Sequence, residues 1–213
     1  MCGKLFQPWN RGEQVSVEFS SKVDEHYRSR NQASRSRRTA EANAPFLFGT
    51  VHAVLPDSSP VAAVLASVRE EIALEDLAGR GLDTGPAHIT LRYGVQGEDT
   101  SAIVALLRAH SPISATLGAT SSFPPSANST GVAVIFVKIE CPELHVLSHR
   151  LDEIADFMEP TYAYEPHVTV AYVRPEVAEK YVDNPTAAGY TFFITEVVIR
   201  TKSKEEMIVT LNG

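Results

Sequence analysis

The chain has 213 residues, 44% of them apolar and 21% charged, with a formal net charge of −7. That length suits one sizeable domain or two small packed lobes. A mean hydropathy of −0.08, with no apolar run near the roughly 20 residues that cross a bilayer, excludes a helical membrane protein and any membrane partner.

The opening MCGKLFQPWNRG lacks the apolar centre of a secretion signal. Cys2 and Cys141 are the only cysteines, so no disulfide framework is expected and a reducing cytoplasm is the expected setting. Residues 28–43, RSRNQASRSRRTAEAN, offer almost nothing to bury and read as a flexible linker or tail. VSVEF at 15–19 has strand character but no core pattern around it. The expected organisation is a basic extension over 1–45, at +3, and a folded domain over 46–213, at −10. So acidic a body speaks against long nucleic-acid tracts, whose binding needs many neutralised phosphates. A local pocket can still take a small phosphate ligand.

Within the domain, FLFGTVHAVL (46–55) reads as a buried strand. SSP at 58–60 opens a helix with Val61, Val64, Leu65, Val68 and Ile72 at helical spacing, closed by Gly79 and Gly81. A strand at 88–93 and a helix around 99–110 follow, then strands at 113–118 and 131–139 flanking the loop SSFPPSANST. The spacing of Leu144, Leu147, Leu151, Ile154 and Met158 predicts a helix over 143–158. A strand at 167–173, a short Pro-initiated helix at 175–182 and a hairpin of 191–200 with 206–211 complete the chain. The order predicts an α/β or α+β domain made of two similar halves.

Set side by side, the halves share a short repeat, AHITLRY (87–93) and PHVTVAY (166–172), whose histidines lie 79 residues apart. In a strand, His88 and Thr90 point to one face and Ile89 and Leu91 to the other; His167 and Thr169 stand likewise against Val168 and Val170. Each half then offers an imidazole and a hydroxyl about 7 Å apart along one strand. Facing each other across a cleft, the pairs suit in-line attack on a phosphodiester. One neutral histidine takes a proton from the attacking oxygen and the other, protonated, gives one to the leaving oxygen. The threonines donate to the non-bridging oxygens. The scheme needs no metal and no cofactor.

Other residues are secondary. A regular strand puts Arg92 on the face of His88 and Thr90, where it could hold a phosphate, and puts Tyr93 and Tyr172 on the opposite, packing face. Tyr162, Tyr164 and Phe123 are candidates for stacking a nucleobase. His52, in the first strand, could reach the cleft but reads more readily as a core histidine. His145 and His149, four apart on a helix, read as a solvated face rather than metal ligands, and Glu196 reads as a buried carboxylate that could pair with Arg200 or with a group in the cleft.

The doubled motif resembles that of the 2H phosphoesterase superfamily, which includes bacterial 2′-5′ RNA ligases and cyclic phosphodiesterases. The resemblance spans residues 46–213 and includes Gly94 and Phe123-Pro124. It implies an α+β, bilobed fold: two pseudo-symmetric antiparallel-sheet lobes with outer helices around a central cleft. It also implies His88, Thr90, His167 and Thr169 as catalytic residues and small nucleotides with cyclic or 2′-5′ phosphodiester bonds as substrates. HVTVAYVRPEVAEKYV resembles phage-encoded members, some of which destroy cyclic nucleotide alarm signals, so an anti-defence role in the host cytoplasm is one expectation. RNA end processing or 2′-5′ ligation is the alternative, and nucleotide sequestration the non-enzymatic one.

Overall fold

A computed structural model describes residues 49–213 except 127, 128, 130 and 159–162. The expected extension over 1–45 and Tyr162 lie outside the described residues.

Strand β1 (Gly49–Val54) alternates buried and half-buried residues because Val51 and Ala53 enter the core while Thr50 and His52 face the other way. Helix α1 (Pro60–Glu70) starts with proline in its first turn, where no backbone donor is needed, and buries Val61, Leu65 and Val68. A 3-10 turn over Leu74–Asp76 leads into β2 (Leu77–Leu82), where the glycines suggested only the end of a helix. The first motif strand is β3 (His88–Val95), followed by α2 (Ser101–Arg108). Next come β4 (Ile113–Phe123), longer than its apolar pattern indicates, and β5 (Ala133–Glu140).

Helix α3 (Pro142–Ile154) stops before Met158. The chain then turns back to β3, with a bridge between Val95 and Phe157 and a hydrogen bond from Met158 N to Gly94 O at 2.9 Å. Gly94 has φ +84°, and a Cβ there would collide with Met158, so glycine is required at this junction. The second motif strand is β6 (His167–Val173), and a 3-10 turn over Pro175–Tyr181 replaces the expected short helix. β7 (Thr191–Ile194), β8 (Glu196–Arg200) and β9 (Glu206–Thr210) end the chain.

The strands form two antiparallel sheets, β3-β1-β8-β9 and β2-β6-β5-β4-β7. The expected C-terminal hairpin is split between them. β7 pairs with β4 in one sheet, and only β8 and β9 form a hairpin, in the other. Likewise β2, from the first half of the sequence, pairs with β6 of the second. Each lobe therefore draws on both halves of the chain.

Helix α1 packs on the five-stranded sheet, and α2 and α3 on the four-stranded one. Leu65, Leu107, Leu144, Leu147 and Leu151 are fully buried, each worth about 1.5–3 kcal/mol of transfer free energy. The outer faces of both sheets are thus covered, and β3 and β6 approach one another where the sheets meet. No described helix is long and apolar enough to cross a membrane.

Candidate active site

His88 and His167 each begin a motif strand and are held in the same way. His88 Nδ1 lies 3.1 Å from the carbonyl oxygen of Pro86, and His167 Nδ1 lies 2.7 Å from that of Glu165. A carbonyl only accepts, so Nδ1 is the donor in both rings and Nε2 is left for substrate. In both rings the acceptor lies two residues before the histidine, although the nearby proline differs in place, Pro86 two residues before His88 and Pro166 one before His167.

The motif strands share a second device. Along β1 and β3, His52 pairs with Thr90 but Val51 pairs with Arg92, leaving Leu91 as an extra residue. Along β5 and β6, Phe136 pairs with Thr169 but Ile135 pairs with Ala171, leaving Val170 extra. Each is a β-bulge three residues after the histidine, and a bulge reverses the faces of everything beyond it.

These bulges overturn the strand-face reading of three residues. Arg92 stands opposite the fully buried Val51 and turns toward the helices. There its Nη2 meets Asp152 Oδ1 of α3 at 2.5 Å, and its guanidinium lies 5.3 Å from the Phe157 ring centre. It is 8% exposed and holds the lobe together instead of facing a phosphate. Tyr93, opposite Thr50, and Tyr172, opposite Val134, instead come onto the faces that carry His88 and Thr90, and His167 and Thr169.

Phe123 is the last residue of β4. It stacks on Phe136 at 4.1 Å and meets the His167 ring edge-on at 4.9 Å, so the structure brings it to the candidate site. Tyr164 is not brought there. Its ring meets His145 of α3 edge-on at 5.3 Å. Its hydroxyl is buried without a hydrogen-bond partner, and burial pushes the phenol well above its ordinary pKa.

His52 is the residue that sequence reasoning undervalued. It pairs with Thr90, hydrogen-bonds Thr50 Oγ1 through Nδ1 at 3.1 Å, and meets the His88 ring edge-on. Burial first, then the charges of His88 and Arg200, hold its pKa at about 4. Its place in an alternating strand, on the half-buried face with Thr50 and Val54, was the available signal, but a core histidine has the same signature. His167 also lies below its ordinary value, through burial and, in smaller part, the nearby His88; the Glu165 carbonyl and carboxylate oppose the shift.

His149 lies 3.6 Å from Glu153 on the exposed side of α3, and among the described residues no three His, Cys, Asp or Glu side chains are grouped to hold a metal ion. Glu196 is exposed, and Arg200 pairs with Glu206 instead.

The profile of the 2′-5′ RNA ligase superfamily matches residues 49–198, and so contains both motif strands and the sheets that carry them. The chain belongs to this superfamily, the 2H phosphoesterases. Membership supports a phosphoesterase activity; the superfamily includes phosphodiesterases, RNA ligases and processing enzymes. No curated protein matches the sequence.

Among solved structures, TT0787 of Thermus thermophilus is similar at 20% identity and a TM-score of 0.54, covering 78% of this chain and 98% of that one. Usb1 of Kluyveromyces marxianus is similar at 13% identity and a TM-score of 0.55, covering 77% and 98%. LigT of E. coli in its apo form is similar at 17% and 0.52, covering 77% and 94%. At these identities the likeness shows the fold: two antiparallel sheets with outer helices, of the α+β class.

Proposed function

We propose that the protein is a metal-independent phosphodiesterase that opens a cyclic phosphodiester in a small nucleotide. The observation that carries this reading is the matched anchoring of His88 and His167, whose Nδ1 atoms are committed to backbone carbonyls at 3.1 and 2.7 Å. Binding alone needs no pair of oriented imidazoles; acid–base transfer at two oxygens does.

In the forward step one neutral histidine takes a proton from water while the water oxygen bonds to phosphorus. The ring P–O bond breaks, and the other histidine, protonated, gives its proton to the departing oxygen, leaving a phosphomonoester. The burial that holds His167 below its ordinary pKa favours its neutral form, which suits it to the base role and His88 to the acid role. Thr90 and Thr169 lie on the same faces and donate to the non-bridging oxygens as charge gathers there. Tyr93, 41% exposed on the His88 face, offers a ring on which a base can stack.

A nucleotide substrate is supported by the solved relatives, since Usb1 was solved with uridine monophosphate and LigT with 3′-AMP. The charge of −10 over residues 46–213 favours compact substrates, 2′,3′-cyclic phosphates or cyclic di- and trinucleotides, over long RNA. With the resemblance to phage-encoded members, this supports removal of a cyclic nucleotide alarm signal in a host cytoplasm as the biological role. The second reading, processing of an RNA end, is favoured by membership of a superfamily that includes RNA ligases and processing enzymes.

The test is incubation of the full chain, in EDTA, with cyclic dinucleotides, cyclic trinucleotides, 2′,3′-cyclic mononucleotides and RNAs with 2′,3′-cyclic ends. Turnover of a small cyclic nucleotide is the expected result. Turnover of the RNA ends alone selects the second reading, and turnover lost only on chelation overturns the metal-free scheme.

A further inference from the structure

β2 contains a wide irregularity whose purpose the acid–base scheme does not explain. Leu77 pairs with Val173 and Leu82 with Ala171, so the stretch Ala78-Gly79-Arg80-Gly81 loops out of the β2–β6 ladder. Gly79 and Gly81 have φ +58° and +71°, in the left-handed region that side chains other than glycine enter at a cost. The two glycines therefore let the backbone leave the sheet and return around a single arginine.

Arg80 projects from this loop and lies 5.1 Å from the centre of the Tyr172 ring. Since Tyr172 shares the face of His167 and Thr169, Arg80 comes to the edge of the same face. Its side chain is exposed. Among the described residues no carboxylate pairs with it, unlike Arg92, Arg174 and Arg200, which are bound to Asp152, Asp76 and Glu206. Asp83, whose charge acts on Tyr172, accepts from Gly85 N at 3.3 Å. Stacking on an aromatic face fixes the guanidinium plane while leaving its N–H edge open to an anion.

Thr169 and Tyr172 stand opposite Phe136 and Val134, two residues apart on β5 because Val170 is bulged, so they lie ~7 Å apart along the strands at about 3.3 Å per residue. With the reach of an arginine side chain, that separation is of the order of one nucleotide unit.

We propose that Arg80, presented by the Gly79–Gly81 loop and braced on Tyr172, binds a second phosphate of the substrate, one nucleotide unit from the phosphate held between the histidines. The proposal rests on the reading of the His/Thr faces as a phosphodiester site and sharpens it. The preferred substrate class is a nucleotide with at least two phosphates, such as a dinucleotide or larger cyclic oligonucleotide, over a mononucleoside cyclic phosphate.

The test measures binding, independently of turnover. Calorimetric titration of the full chain with 3′-AMP and with adenosine 3′,5′-bisphosphate compares one phosphate with two on the same nucleoside. The intact protein is expected to bind the bisphosphate ~10-fold more tightly or better, the scale of one charge-assisted contact. Arg80→Ala should erase that preference and leave 3′-AMP affinity within about twofold; Arg80→Lys should keep part of it. Equal binding of the two nucleotides by the intact protein, an equal loss for both in Arg80→Ala, or no binding of either overturns the proposal. If the preference and its dependence on Arg80 hold while no cyclic phosphodiester is turned over, the catalytic reading fails and the second-phosphate site stands.

Discussion

His52 stands edge-on to His88, with ring centres 5.5 Å apart and planes at 71°. It reaches His88 from the neighbouring strand, through its pairing with Thr90. A protonated His52 would place a positive charge against the His88 ring, but burial keeps His52 neutral down to about pH 4.

The linkage has a definite sign. The folded protein holds the proton on His52 less well than the unfolded chain does, whose histidine titrates at 6.5. The unfolded state therefore binds more protons between about pH 4 and 6.5, and folding stability falls as pH drops through that window. The expected result is a urea midpoint that declines below pH 6.5, with a shallower decline in His52→Phe, which preserves the ring contact and cannot titrate. Identical slopes in the two proteins would show that His52 is not held neutral.

Glu165 acts on His167 through both its carbonyl and its carboxylate, and both raise the histidine against the larger effect of burial. Net lowering places the acid limb of the kcat/KM profile below pH 6.5 if His167 is the base. Glu165→Gln removes the carboxylate charge and keeps the backbone carbonyl, so the acid limb should move further toward low pH with little change in the plateau. A limb that moves upward, or stays in place, rejects His167 as the titrating base.

The histidines and threonines should separate by magnitude. His88→Ala and His167→Ala are each expected to abolish measurable turnover while leaving the circular dichroism unchanged, because each ring stands at the start of a strand and neither is among the fully buried side chains. Thr90→Val and Thr169→Val should each lower kcat by 10²–10³, about 2.7–4 kcal/mol, the scale of a lost oxyanion donor. Near-full activity in either histidine variant would break the paired assignment.

The motif strands were legible because alternation and repetition both act locally. Ile89, Leu91, Val168 and Val170 are buried as the period-two pattern requires. What failed was everything downstream of a bulge. LRY and VAY contain no turn residue or glycine at the extra position, and a bulge is set by pairing with β1 and β5, which one strand does not encode. The faces of Arg92, Tyr93 and Tyr172 were consequently inverted.

Strand exchange between the lobes was hidden for a similar reason. Thr195 alone separates β7 from β8, and a one-residue change of sheet looks like a continuous strand in sequence. Gly79 and Gly81 carried a real signal for irregular backbone, but they mark a loop within β2 and not a helix end.

The inverted face of Arg92 leads to a prediction opposite to that for a phosphate ligand. Its side chain and that of Asp152 are 9% and 26% exposed, and Arg92 Nε is buried without a hydrogen-bond partner. A buried ion pair adds little compared with a well-packed apolar pair, because both ions lose their hydration, yet removing one partner strands the other. Asp152→Ala should therefore destabilise the protein by about 3 kcal/mol by leaving a guanidinium uncompensated between α3 and β3. Arg92→Met, which keeps the stem packed on Phe157, should cost less than Arg92→Ala. The double variant Arg92→Met/Asp152→Leu should recover much of the loss. Urea unfolding with m-values checks the order, and nucleotide affinity should stay at the level of the intact protein in Arg92→Met. A large loss of affinity without a loss of stability would return Arg92 to the substrate face.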